Sequence, residues 1–177
     1  MKNHPIISRP SSHEYPVEFD SYIKLVQSND LLGYFATQSE SLASVAAGLS
    51  EEQLLYRYAE GKWSMKDVFT HMIDCERIYC YRALSIARGE KKSLPGFEEN
   101  EYASFASADK RDKEDIITDY YATRAATIEL FKSFDEEMLN RMGIANDTLR
   151  SVRSIGYLAA GHELHHLGVL KERYLKQ

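Results

Sequence analysis

The chain has 177 residues, of which 44% are hydrophobic and 28% charged, a length and balance suited to one globular domain with its own core. A net charge of −5 and a pI near 5.7 argue against a nucleic-acid surface, since phosphate binding needs a concentrated basic patch and none is visible. No stretch approaches the length of apolar sequence that a membrane span requires.

Residues 1–17 are polar and hold three of the four prolines, so they read as an extended arm with little structure of its own, and His4 and His13 on it as solvated. The arm shows no long apolar segment of a signal peptide, which makes the cytoplasm the default compartment. Residues 18–177 are expected to form the single domain. A short helix is predicted from Glu18 to Val26, broken near Ser28-Asn29-Asp30. Asp30 is placed to cap a first long helix, whose apolar residues Leu31, Leu32, Phe35, Leu42, Val45, Ala46 and Leu49 recur at helical spacing up to Gly48. Ser50-Glu51-Glu52-Gln53 then spells a capping box for a short helical turn.

Ser64-Met65-Lys66-Asp67 is a second capping box. A helix of about 25 residues is predicted to follow it and to stop at Arg88-Gly89. Its inward stripe runs through Val68, His71, Cys75 and Ile78, with Met72 and Tyr79 alongside. Cys75 and Cys80, five apart on this helix, are poorly placed for a disulfide and read as reduced thiols. Glu90–Asp112 reads as a long loop with at most one helical turn. Ile116, Ile117, Tyr120, Arg124, Thr127, Phe131 and Phe134 mark a third long helix. Met142–Leu149 reads as irregular, with turn chemistry at Gly143 and Asn146-Asp147. Ser151 is placed to cap the last helix. Four long amphipathic helices and almost no strand signal predict an all-α four-helix bundle, and the long second connection predicts a crossover between helices two and three.

The last helix carries the chemistry. His162, His165 and His166 are half of the six histidines. His162 and His166 stand one turn and about 40° apart, in line with Ile155, Leu158, Ala159, Val169 and Leu170, the core-facing stripe. With His71 they supply three imidazoles on two helices. Three protein ligands leave a position open for water or substrate, the pattern of a catalytic metal, and imidazole suits Zn²⁺, Ni²⁺ or Fe²⁺. A single core histidine is usually a packing residue; three on core stripes argue for a shared ion.

Other readings compete. His162-Glu163-x-x-His166 matches the H-E-x-x-H protease signature, with Glu163 as general base, but only 11 residues follow His166 and the extended motif is absent. Glu163-x-x-His166 matches half of a di-iron motif, yet Val68 and Ala159 occupy the positions where its partner glutamates belong. Cys75 as a nucleophile lacks an electropositive neighbour. Glu163 and His165, the latter at the edge of the stripe, stay as candidate acid/base groups. Arg77, Arg82 and Arg153 are further candidates for substrate contact.

With these residues laid out, the chain resembles the DinB/YfiT superfamily. The resemblance rests on Gly61-Lys62-Trp63-Ser64, the helix with His71 and Glu76-Arg77, Leu94-Pro95-Gly96-Phe97-Glu98-Glu99-Asn100, Ser151-Val152-Arg153 and Ala160-Gly161-His162-Glu163-Leu164-His165-His166. It implies an up-down-down-up bundle and one divalent metal on His71, His162 and His166. It further implies an enzyme on small molecules: a transferase using a low-molecular-weight thiol against electrophiles as first expectation, with a metal-dependent hydrolase or a non-catalytic stress-response module as alternatives. Homodimers recur in the family. No nucleic acid or membrane partner is expected.

Overall fold

Ser64 and Asp67 bond reciprocally, each backbone N–H to the other's side-chain oxygen at 3.0 Å, and so open the longest helix of the chain. The computed structural model describes residues 6–175. In chain order the helices are α1 (Asp20–Leu25), α2 (Leu31–Thr37), α3 (Ser41–Ala47), α4 (Glu51–Leu55), α5 (Met65–Ala87), α6 (Glu99–Ala106), α7 (Lys113–Lys132), α8 (Glu136–Asn140) and α9 (Val152–Val169). The other two sequence caps also form: Ser50 accepts from the Gln53 N–H, and Ser151 from the Ser154 N–H. No helix among the described residues is long and apolar enough to cross a membrane.

The bundle consists of α2–α3, α5, α7 and α9. Glu76 meets Arg124 and Cys80 meets Thr127, so α5 and α7 run parallel. Ser41 meets Tyr120 and Phe35 meets Phe131, which sets α2–α3 antiparallel to α7. His71 meets His162, Gly156 abuts Phe131 and Glu163 meets Arg124, so α9 opposes both α5 and α7. The winding is up-down-down-up.

Four sequence expectations need correcting. The first long helix is broken at residues 38–40 into α2 and α3. Polar groups crowd the carbonyls there: Ser39 Oγ donates to Phe35 O, and the Ser41 and Tyr120 hydroxyl oxygens stand 2.9 and 2.8 Å from Gln38 O. Asp30 stands at the N-cap of α2 without a side-chain capping bond. The Glu90–Asp112 crossover holds α6 and a 3₁₀ turn at Ala108–Lys110, more helix than the one turn expected. Its far end is anchored to the start of α5, where Ser64 Oγ donates to Asp109 at 2.6 Å and Lys66 Nζ to Arg111 O at 2.7 Å. The stretch read as irregular is a β-hairpin, β1 (Met142–Ala145) against β2 (Thr148–Ser151), with Ala145 opposite Thr148. Asn146 and Asp147 both have positive φ, 51° and 56°, the two-residue turn that suits strand twist.

The arm is tied down at Ile7, at Arg9, whose backbone N–H donates to Asn29 and whose guanidinium donates to the Ile23 and Val26 carbonyls, and at Glu14. Ile7 is buried and its carbonyl accepts from the Leu31 N–H and the Tyr157 hydroxyl. Glu14, at the end of a 3₁₀ turn, is buried against Arg153 and Ser151. His13 is exposed, as read; His4 lies outside the described residues.

The core forms two apolar clusters. One gathers Leu31, Phe35, Ile86, Phe131 and Ile155; the other gathers Leu42, Met65, Phe69, Ile116 and Leu170. A polar layer of Ser41, Glu76, Arg124, Glu163 and the histidines crosses the bundle between them.

Candidate metal centre and adjoining cavity

α5 delivers His71 two turns in from its capping box, and α9 delivers His162 and His166 from facing positions one turn apart. The Nε2 atoms converge: His71 to His162 is 3.2 Å and His166 to His162 is 3.1 Å, and ligand atoms of all three lie within 4.8 Å of one another. Imidazoles bound to a tetrahedral ion at about 2.0–2.1 Å would stand ~3.3 Å apart, so the spacing fits a shared ion. His71 and His162 are 8% and 9% exposed; His166 is half-buried. Burial lowers the pKa of His71 to about 4. Burial, with His71 and His165 adding repulsion, takes His166 to about 3. All three imidazoles are thereby kept neutral, the form that binds metal. The Trp63 ring packs 4.7 Å from that of His71, and the Tyr174 hydroxyl, on the π-helical turn Leu170–Tyr174, donates to the Trp63 carbonyl. This closes the triad on the side of the α9 C-terminus.

Glu163 faces the other way. Its Oε1 accepts from Ser41 Oγ and Tyr120 OH, both at 2.6 Å, and its Oε2 from Arg124 at 2.7 Å. Arg124 also forks onto Glu76 with two bonds of 2.9 Å. Every oxygen of the carboxylate is engaged on the α3/α7 side of α9, away from the α5 side where the imidazoles meet. His165 is exposed, with its ring 5.1 Å from Tyr22 and 5.0 Å from His166. Cys75 Sγ lies 3.6 Å from the His71 ring nitrogens, but burial pushes its thiol up to about 12, so it stays protonated at neutral pH. Both cysteines are free.

A cavity of about 180 Å³ adjoins the triad, bounded by His71 and His162 and by Tyr22, Tyr79, Arg82 and Arg150. Arg77 and Arg153 are engaged elsewhere, with Asp119 and with Glu14. Arg82 was within reach of sequence reasoning: it lies 11 residues from His71, three turns along the same face. Arg150 was missed, because its inward direction depends on the alternation of a hairpin that the sequence did not reveal.

A model of the DinB superfamily matches residues 34–170. The chain belongs to the DinB superfamily. Among solved structures, this DinB chain is similar to YfiT from Bacillus subtilis, described as a probable metal-dependent hydrolase with an unusual four-helix bundle topology. The two share 15% identity over 93% of this chain and 91% of YfiT, with a TM-score of 0.68. At that identity the likeness speaks to the fold, and the four-helix bundle is common to both. A search of curated proteins gives no match.

Proposed function

We propose that this DinB protein is a metal-dependent enzyme in which His71, His162 and His166 hold one divalent transition metal beside a small substrate cavity. The observation that carries this reading is the convergence of three neutral imidazoles, two buried and one half-buried, with the His71 and His166 Nε2 atoms 3.2 and 3.1 Å from that of His162 and no carboxylate among them. A bound Zn²⁺, Ni²⁺ or Fe²⁺ would act as a Lewis acid that favours the ionised form of a nucleophile. α5 and α9 orient the three imidazoles, while Trp63, Tyr22 and Tyr79 screen them from bulk water.

Glu163 bears on the choice of nucleophile. Held by Ser41, Tyr120 and Arg124, it is unavailable as a general base, so a nucleophile that needs little help to ionise suits the site. A thiol starts near pKa 8.5, about seven units below water. We therefore read the reaction as transfer of a low-molecular-weight thiol to a small electrophile: sulfur bonds to carbon, the thiol proton is released and the leaving group departs with its electron pair. A hydrolase is the second reading, favoured by the description of YfiT.

Metal analysis of untagged protein should find about one ion per chain, and His162→Ala should lose it. Full retention by that variant would overturn the triad. Glutathione, bacillithiol and mycothiol with a chlorinated nitroaromatic should then give thiol-dependent turnover. Thiol-independent ester or amide cleavage would establish the hydrolase, and metal binding without either activity a non-catalytic module.

A further inference from the structure

The cavity beside the triad contains two arginines that the fold leaves without counter-charges. Arg82 is 5% exposed and Arg150 2%. Arg82 donates to the Pro95 carbonyl at 2.8 Å; Arg150 donates to the Ala145 carbonyl at 3.0 Å and to the Thr148 hydroxyl. Neither pairs with a carboxylate among the described residues, and the buried Nε of Arg150 has no hydrogen-bond partner at all. The other buried arginine is treated differently: Arg124 is bracketed by Glu76 and Glu163, and even the half-buried Arg153 is forked by Glu14. A buried guanidinium without an anion is costly, and here two of them border one cavity.

The surroundings add no compensation. Arg150 lies over the Phe19 ring at 4.7 Å and Arg82 over Phe97 at 5.9 Å, contacts that order the cations without neutralising them. Burial and the charge of Arg82 together lower the pKa of Arg150 to about 10, so the strongest charged neighbour it feels is another cation. Glu99 is the one carboxylate lining the cavity, and it sits exposed on α6, forming no ion pair with either arginine. Two neutral imidazoles, two cations and aromatic walls therefore border a space that attracts negative charge.

We propose that Arg82 and Arg150 bind the oxyanion of a small substrate, a carboxylate or phosphate group, and thereby aim its other end at the histidine triad. Guanidinium forks match both groups, since each offers parallel N–H donors to paired oxygens. Which end reacts rests on the enzyme reading above; the binding of the oxyanion does not. The cavity admits only a small organic acid or a compact phosphate, and the position of the arginines makes the anion a handle rather than the reacting centre.

The test titrates succinate, inorganic phosphate and neutral succinamide into zinc-loaded and metal-free full-length protein at low ionic strength, read by calorimetry. At least one of the two anions should bind ten-fold or more tightly than succinamide in both forms, and which one does so names the group. Arg82→Gln should weaken that binding at least ten-fold with metal content unchanged. Arg150→Gln should do the same; should it not fold, Arg150→Lys, which keeps the charge but loses the fork, should still weaken it several-fold. Equal binding of succinamide and both anions, or an Arg82→Gln protein with unaltered affinity, overturns the proposal. Arg82-dependent anion binding in a protein that takes up no metal would leave this site standing while the enzyme reading falls. One metal per chain with no Arg82-dependent binding would do the reverse.

Discussion

Glu163 and Arg124 are joined by a 2.7 Å ion pair that crosses from α9 to α7, one residue along the helix from His162. The pair turns a residue that spells a protease base in sequence into part of the polar layer between the two apolar clusters. It also ties α9 to α7 on the side of α9 opposite the imidazoles.

Glu163→Ala is accordingly expected to cost about 3–5 kcal/mol, because it strips one partner from a buried charge network. Glu163→Gln, which keeps an acceptor for Ser41 and Tyr120, should cost less. Both are read by chemical denaturation. The folded Glu163→Gln protein should still bind one metal per chain. If it stays folded and fully metallated yet loses turnover completely, the carboxylate takes part in the chemistry after all.

The arm gives a prediction in pH. Burial raises the pKa of Glu14, but bonds from Arg153, the Ser11 N–H and Ser151 outweigh it and hold the carboxyl below its ordinary value of 4.5. A pKa depressed by folding contributes stability that is complete above the unfolded value and fades as pH falls through the folded one. Glu14→Gln should thus destabilise the protein by roughly 1–3 kcal/mol at pH 7. The difference from the unsubstituted protein should shrink below about pH 4. Denaturation midpoints at pH 7, 5 and 3 measure it, and a difference that grows toward acid would contradict the pairing.

Two glycines on α9 should respond oppositely to alanine. A Cβ on Gly161 would stand 2.1 Å from the Tyr22 carbonyl oxygen, backbone that cannot rotate away, so α1 would have to move off α9. Gly161→Ala should cost about 1–3 kcal/mol or more and, by shifting Tyr22 at the cavity wall, weaken metal retention beside it. A Cβ on Gly168 would meet nothing within 4 Å, and Gly168→Ala should stabilise by roughly 0.5–1 kcal/mol. Thermal melts of the two variants against the parent decide it; matching shifts would refute the close approach of α1 and α9.

Cys75→Ala should keep metal content and turnover within a few-fold of the parent. Its thiol is pushed up to about 12, which leaves too little thiolate at neutral pH for nucleophilic attack. A loss of a thousand-fold or more in a metal-replete variant would reinstate Cys75 as the nucleophile.

What the sequence determined by itself is what local spacing can encode. The capping serines 50, 64 and 151 mark helix starts, because a cap and its partner lie three residues apart. The four-residue interval of His162 and His166 and the core stripe through His71 led to the triad, because residues on one helical face are one or two turns apart. The break between α2 and α3 was hidden, since the Tyr120 hydroxyl that packs 2.8 Å from the Gln38 carbonyl comes from a helix 82 residues away. The hairpin was hidden too: Arg150 points inward only once β2 has paired with β1. Tertiary structure alone decided the fates of the charged residues. Glu163 and Arg82 both lie within reach of the histidines in the sequence pattern, yet one meets Arg124 and the other meets no carboxylate among the described residues. Periodicity fixes which face a side chain takes, whereas the partner waiting there is set by which distant segment packs against that face.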